Sequence, residues 1–491
     1  MNTNMPIIKS ISGFRGTIGG ENGSNLTPPE ILNFVVAYSL LIKEKNADLI
    51  SNGKKLKIVI GRDGRVSGEM VRSLVSASLL SNGVNVVDLG MASTPTVEMA
   101  VSFEKAQGGI IITASHNPAG WNALKFLNEK GEFLNANEGK KILEYAEKIN
   151  NDKTFQYAKE SDLGYYVFNP TLEYNHINSI LKLPLVLPEE IKKRNFKVVV
   201  DGINSVGGTI VPNLLDALGL KKENIILLNC EPNGLFAHKP EPLDENLDEI
   251  KELVIKEKAD LGIVVDPDVD RLAFIDENGN MFGEEYTLVA VTDYVLKNYD
   301  SLIIELGKKG LEYKKATVSN LSSSRALKDV TEKYSGTYEA SSVGEVNVVD
   351  LMKKNKAIIG GEGNGGVIFP PLHYGRDALL GIALFLTALA KANKTISELK
   401  KEFPEYFMVK DRLELKDNFN FKELVEVIKQ DYKEEKITDI DGLKINWKDS
   451  WVHLRTSNTE PIMRIYAEAK SLKEARGKVA EVKLKILAYI K

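Results

Sequence analysis

The chain has 491 residues, 43% of them apolar and 27% charged, with a formal net charge of −4. That length predicts about three or four domains rather than one core, and the charge balance leaves no global basic field for nucleic acid, so any anion site has to be built locally. The single cysteine, Cys230, excludes an internal disulfide, argues against a cysteine metal site and suggests a small packing residue. No run of 18 apolar residues is present to suggest a membrane span, and Met1-Asn2-Thr3-Asn4-Met5-Pro6 lacks an apolar signal core, so a cytoplasmic enzyme or binding protein is expected.

Lys57-Ile58-Val59-Ile60 reads as a strand running into the turn Gly61-Arg62-Asp63-Gly64. Met70, Val71, Leu74 and Val75 then recur at helical spacing. The run Ile110-Ile111-Ile112 stops abruptly at Thr113-Ala114-Ser115-His116-Asn117-Pro118. This predicts a buried strand that delivers Ser115 onto a tight loop at its C-terminal end, where ligands collect in α/β sheets. A hydroxyl beside an imidazole is a candidate nucleophile. The pair alone is weak evidence, because neighbouring side chains on a strand point apart.

Lys197-Val198-Val199-Val200 repeats the plan, leading through Asp201-Gly202 into a helical pattern at Val211, Leu214 and Leu218. The next strand, Leu261 to Val265, ends in Asp266, Asp268 and Asp270. Three carboxylates this close repel unless a cation compensates them, and an all-oxygen set suits Mg²⁺. An Asp-rich turn is the plainer reading. Arg271, beside them, is a candidate contact for a phosphoryl oxygen.

A looser third copy of the plan starts at Ala316-Thr317-Val318-Ser319. After Ala357-Ile358-Ile359 comes Gly360-Gly361-Glu362-Gly363-Asn364-Gly365-Gly366, whose glycines let the backbone approach a ligand. Glu362 and Asn364 there suit sugar hydroxyls or an amine, although a plain turn fits as well. Near the end, the strand-like runs Trp451 to Leu454 and Ile462 to Tyr466 flank Arg455-Thr456-Ser457-Asn458-Thr459-Glu460-Pro461, with Arg464 on the second run. Arginine forks, hydroxyls and amides in one loop suit phosphate; the alternative is a polar hairpin turn. Leu472, Ala475, Val479, Val482, Ile486 and Ile490 fall on one helical face. The pattern predicts three tandem related α/β domains with mixed sheets (residues 1–160, 161–281 and 282–402) and a C-terminal α+β domain (403–491).

In this order, the four loops resemble those of the α-D-phosphohexomutase superfamily, and the resemblance runs nearly end to end. Thr113 to Pro118 is similar to the family's phosphoserine loop and Asp266 to Arg271 to its metal loop. Gly361 to Asn364 is similar to its sugar-binding loop and Arg455 to Thr459 to its phosphate-binding loop. Gly13-Phe14-Arg15-Gly16 resembles an N-terminal element whose arginine lies near the reacting serine, and Gly120 to Lys125 a stretch carrying an active-site lysine. The resemblance implies four domains around a central cleft and a phosphate carried covalently on Ser115. It implies Mg²⁺ held by Ser115, Asp266, Asp268 and Asp270, and a sugar bisphosphate intermediate that turns around in the cleft. His116, Lys125 and Arg15 are then candidates to move the sugar hydroxyl proton. Glu362 and Asn364 would recognise the sugar, and Arg455, Ser457, Asn458, Thr459 and Arg464 the far phosphate. The partners implied are a hexose or hexosamine phosphate and the bisphosphate, with the chain a monomer or homodimer.

Gly361-Glu362-Gly363-Asn364-Gly365-Gly366, Ser342-Val343-Gly344-Glu345 and Gly375-Arg376-Asp377 look most like a branch of the family acting on glucosamine phosphates. The mannose- and glucose-phosphate branch is the alternative. A phosphatase with Asp266 as nucleophile is a reading from another class, but its usual pattern wants Thr or Val at Asp270. An inactive sugar-phosphate-binding protein is disfavoured by the retention of Ser115 and the three aspartates.

Overall fold

The computed structural model describes residues 8–10, 13–151, 154–415, 419–456 and 462–490. It divides into a unit of residues 1–287 and 366–397 and a unit of residues 288–365 and 398–491. The first unit carries a seven-stranded sheet, in spatial order Ile8–Ser10, Gly13–Thr17, Trp121–Leu127, Gly108–Ile112, Lys57–Arg62, Asn85–Met91 and Tyr166–Phe168. Its centre is parallel, while Trp121–Leu127 runs antiparallel to Gly108–Ile112.

The continuous apolar runs follow from burial on both faces. Ile58, Ile60, Ile110 and Ile112 point into one core with Phe34, Val35, Val71 and Val75. Their neighbours Val59 and Ile111 point into another with Val97, Ala100 and Val101. Each such side chain contributes about 1.5–3 kcal/mol by leaving water. In the helix Gly68–Ser81 the buried face is Val71, Val75 and Leu79, and Met70 is exposed, against the expected spacing.

The second sheet, in the same unit, has the order Leu272–Ile275, Leu261–Val265, Val198–Asp201, Ile225–Leu228. Leu261–Val265 is buried throughout, parallel to Val198–Asp201 and antiparallel to Leu272–Ile275. Residues 366–397 return to this unit with the helix Ala378–Ala392, which is apolar on all sides and so is buried on all sides. It packs on the helices Leu172–Leu181 and Pro188–Arg194. Phe385 stacks on Phe274 with ring centroids 3.9 Å apart.

In the second unit the strands Thr337–Ser341, Lys314–Asn320 and Ala357–Glu362 pair in parallel. The glycine run is partly strand. A Cβ on Gly360 would lie 2.5 Å from the Val318 carbonyl oxygen and 2.6 Å from Met352 Sδ. Gly360 therefore serves the packing of the helix Glu345–Asn355 rather than an open loop. An antiparallel sheet of Phe407–Glu414, Ile462–Ala469, Trp451–Thr456, Leu443–Asn446 and Lys436–Thr438 follows. The helix Leu472–Ile490 buries Ala475, Val479, Val482 and Ile486, while Leu472 is exposed, its buried face starting one turn later. Among the described residues no helix is long and apolar enough to cross a membrane.

Candidate active site

Ser115 sits three residues beyond the strand Gly108–Ile112, buried, with φ at +48°. That left-handed backbone is unfavourable for a residue with a Cβ and has to be held by its surroundings. Two devices hold it. The Ser115 N–H donates to Thr113 Oγ1 at 2.9 Å, and Thr113 Oγ1 donates to Asp63 Oδ2 at 2.7 Å. Arg65 then fills the loop from inside. Its Nε donates to Asp63 Oδ2 at 3.0 Å, Nη1 to the carbonyls of Pro118 and Trp121, and Nη2 to those of Ser115 and Asn117. All five bonds lie between 2.6 and 3.0 Å.

The three aspartates follow the strand Leu261–Val265, and all are fully buried. Ser115 Oγ donates to Asp266 Oδ2 at 2.8 Å, so loops 151 residues apart in the chain meet. Asp266 Oδ1 accepts the N–H groups of Asp270 and Arg271, which curls the loop around that carboxylate. Lys125 Nζ donates to Asp268 Oδ2 at 2.8 Å and lies 3.9 Å from Asp270 Oδ2. Thr94 Oγ1 also reaches Asp268 Oδ2, at 2.7 Å, and Arg376 Nη2 reaches Asp270 Oδ2 at 2.7 Å. Asp268 Oδ1 and Asp270 Oδ1 are buried with no hydrogen-bond partner among the described residues.

Electrostatics agree with a cation site. Burial, and then repulsion from Asp268 and Asp270, push the Asp266 carboxyl well above the usual range. Burial also raises Asp270, in spite of Arg376. Burial opposes the charge of Lys125, but Asp268 and Asp270 outweigh it and hold the ammonium up. One ligand oxygen from each aspartate lies within 4.8 Å of the others, so the triad can hold a metal ion. The bare, buried, all-oxygen donors fit a hard divalent cation.

His116 Nδ1 lies 3.4 Å from Ser115 Oγ. Burial, and then the charges of Arg271 and Arg15, keep its imidazole well below its ordinary pKa. Arg15 makes no ion pair among the described residues. Arg271 pairs with Glu241 at 2.6 Å. The first unit thus gathers Ser115, His116, Lys125, Arg15, Arg271 and the three aspartates.

In the second unit, Glu362 Oε1 accepts from Asn320 Nδ2 at 2.8 Å and from the Gly344 N–H at 3.2 Å. Asn364 lies two residues on, half-buried. Arg455 and Arg464 face each other across antiparallel strands, and Arg412 faces Arg464 on its other side. Arg455 Nη1 lies 3.8 Å from Asp441 Oδ2. Ser457, Asn458 and Thr459 lie outside the described residues. Sequence reasoning missed Arg65, Thr94, Asn320 and Arg412. Only Arg65 left a signal, as a second arginine in the polar turn after the strand Lys57–Arg62.

These elements define a protein of three tandem α/β domains with mixed sheets and a C-terminal antiparallel-sheet domain. The sequence matches the phosphoglucomutase/phosphomannomutase alpha/beta/alpha domains I, II and III over residues 7–153, 174–279 and 298–407, and the C-terminal domain over 409–485. The chain belongs to the phosphoglucomutase/phosphomannomutase family, within the α-D-phosphohexomutase superfamily. A relative from Thermococcus kodakarensis, named phosphoglucomutase/phosphomannomutase, is 35% identical over 96% of this chain and 98% of its own. One from Sulfurisphaera tokodaii, named phosphoglucosamine/phosphogalactosamine mutase, is 35% identical over 92% and 96%. A crystal structure of a family protein from Burkholderia thailandensis shares the fold, with a TM-score of 0.78 at 22% identity over 98% of this chain and 97% of that one.

Proposed function

We propose that the protein interconverts hexosamine 6-phosphate and hexosamine 1-phosphate, through a phosphoryl group carried on Ser115 and a sugar bisphosphate intermediate. The observation that carries this reading is the 2.8 Å contact of Ser115 Oγ with Asp266, beside two bare carboxylate oxygens. Asp266, Asp268, Asp270 and Ser115 would hold Mg²⁺. When bound, that ion neutralises charge on the transferring phosphoryl group. Lys125 and Arg15 add fixed positive charge around the same group, which matters because phosphoryl transfer depends on positioning and electrostatics. In the first half-reaction the P–O bond to Ser115 breaks as one forms to a sugar hydroxyl, and the proton that hydroxyl gives up ends on the departing Ser115 Oγ. In the second the other phosphate of the bisphosphate returns to Ser115, its P–O bond to the sugar breaking and the Ser115 hydroxyl proton passing to the freed sugar oxygen. Arg455 and Arg464, with Ser457, Asn458 and Thr459, would hold the non-reacting phosphate, and Glu362 and Asn364 the sugar.

The choice of a hexosamine rests on the third loop. The Gly344 N–H donates to Glu362 Oε1 at 3.2 Å, and the acidic Glu345 is the residue after Gly344, opening the helix Glu345–Asn355. An acidic residue facing the substrate would suit a 2-ammonium group. The Sulfurisphaera relative's name points the same way. The alternative is a glucose or mannose phosphate, as the Thermococcus relative, 35% identical over a longer stretch, is named. Turnover of glucosamine, galactosamine, glucose and mannose 1-phosphates, primed with the matching bisphosphate and followed by ³¹P NMR, tests both. The hexosamine phosphates should have the highest kcat/KM. A higher value for glucose or mannose phosphate would overturn the hexosamine assignment, and no turnover of any would overturn the mutase reading.

A further inference from the structure

The loop His373 to Asp377 leads into the helix Ala378–Ala392, and its last three residues have separate physical tasks. A Cβ on Gly375 would lie 1.8 Å from Glu98 Oε2, so only glycine lets the Glu98 carboxylate lie against this loop. Asp377 Oδ1 caps the helix, accepting the N–H groups of Leu379 and Leu380. Asp377 Oδ2 meets His176 Nε2 at 2.9 Å and His373 Nε2 at 3.2 Å. The other ring nitrogens are also engaged: His176 Nδ1 with Thr96 Oγ1 at 3.0 Å, and His373 Nδ1 with Glu98 Oε2 at 3.4 Å. The Ala378 N–H bonds to the carbonyl of Val269, inside the aspartate loop. Arg376 is thereby fixed between two anchored neighbours, with its Nη2 on Asp270 Oδ2.

The carboxylate oxygens around it are sorted. Oδ2 of Asp268 takes Lys125 and Thr94, and Oδ2 of Asp270 takes Arg376. Oδ1 of both aspartates is buried and, among the described residues, bare. We infer that Arg376 is a positioning residue for the metal site: its guanidinium sets the rotation of the Asp270 carboxylate, so that Oδ1 is presented to the cation. The inference rests on the reading of the three aspartates as a metal site. A carboxylate ligand is free to rotate about its last bond, and a fixed donor on its outer oxygen removes that freedom. Arginine suits the task because its planar fork holds one orientation, whereas a lysine ammonium is a mobile point charge.

The test is Mn²⁺ binding to the purified full chain without sugar phosphate, read from the EPR signal of free Mn²⁺. Arg376→Met should raise Kd about 10- to 100-fold, the usual range for such outer partners. Arg376→Lys should recover part of the loss. The melting temperature in EDTA reports folding separately. Wild-type Kd in either variant overturns the inference. Tighter binding overturns it too, since Arg376 would then compete with the ion. Asp270→Asn is the control for the underlying reading. If it binds Mn²⁺ as the wild type does, the metal site itself is wrong. If it binds weakly while both Arg376 variants bind normally, only the role of Arg376 fails.

Discussion

Replacing Arg65 by methionine keeps an unbranched apolar stem and deletes the guanidinium with its five donors. Four carbonyls in the serine loop and the Asp63 carboxylate each lose a hydrogen bond at once, although Asp63 Oδ2 keeps Thr113 Oγ1 and the Pro118 carbonyl keeps the Trp121 N–H. Arg65 and Asp63 have no exposed side-chain surface, so water does not reach them directly. Breaking a buried ion pair on one side costs about 3–5 kcal/mol. Each stranded carbonyl adds up to ~1 kcal/mol unless the loop shifts to rewet it. A loss of ~4 kcal/mol or more is expected, concentrated in the serine loop. Since ~1.4 kcal/mol is a factor of ten, amide exchange across residues 113–121 should accelerate about a thousandfold, with a lowered urea midpoint. Arg65→Lys should fall between, because an ammonium keeps the charge beside Asp63 but has three donors for five acceptors. Unchanged exchange across 113–121 in Arg65→Met, with a stability loss below ~1 kcal/mol, would refute the idea that this arginine holds Ser115 in its left-handed conformation.

Ser115→Ala should abolish steady-state turnover by several orders of magnitude while costing on the order of 1 kcal/mol of stability, the Oγ bond to Asp266 being its one contact with the aspartates; near-normal turnover would remove Ser115 from the reaction. His373 supplies a pH signature. Burial disfavours its charge, but bonds to Asp377 and Glu98 prevail and raise its pKa from 6.5 to about 10. Its contribution is therefore complete below pH 6.5 and lost as pH climbs through about 10. With ~1.4 kcal/mol per pKa unit, several kcal/mol is the upper bound. The melting temperature should fall across that window, and His373→Gln should flatten the fall; an equal slope in the variant would show that the imidazolium is not held there.

Strand ends were the legible part of this chain. The apolar runs before Ser115 and Asp266 become buried strands, and both loops emerge at their C-terminal ends as the periodicity implies. Pairing between distant loops left no such trace, because hydrophobic period reports a face and never a partner. That is why Ser115 meeting Asp266, Arg65 filling the serine loop and Asn320 steadying Glu362 are visible only in the folded chain. Composition also misled locally. The glycine run reads as a loop that approaches a ligand or as a plain turn; the turn covers only residues 363–365, and Gly360 is strand under Met352. Met70 and Leu472 fit apolar patterns that the buried helix faces do not include.

The first unit is assembled from two stretches of chain, residues 1–287 and 366–397. During synthesis the serine, the three aspartates and Lys125 leave the ribosome long before Arg376 and the helix Ala378–Ala392. Until that helix arrives, Phe274 lacks its stacking partner and the apolar surface it shares with Phe385 stays open. Domains generally fold as units during synthesis, and exposed apolar surface in a waiting intermediate invites aggregation. A nascent chain halted before residue 366 should therefore depend on chaperones and fail to close its aspartate loop, while one extended past residue 397 carries everything that this unit requires.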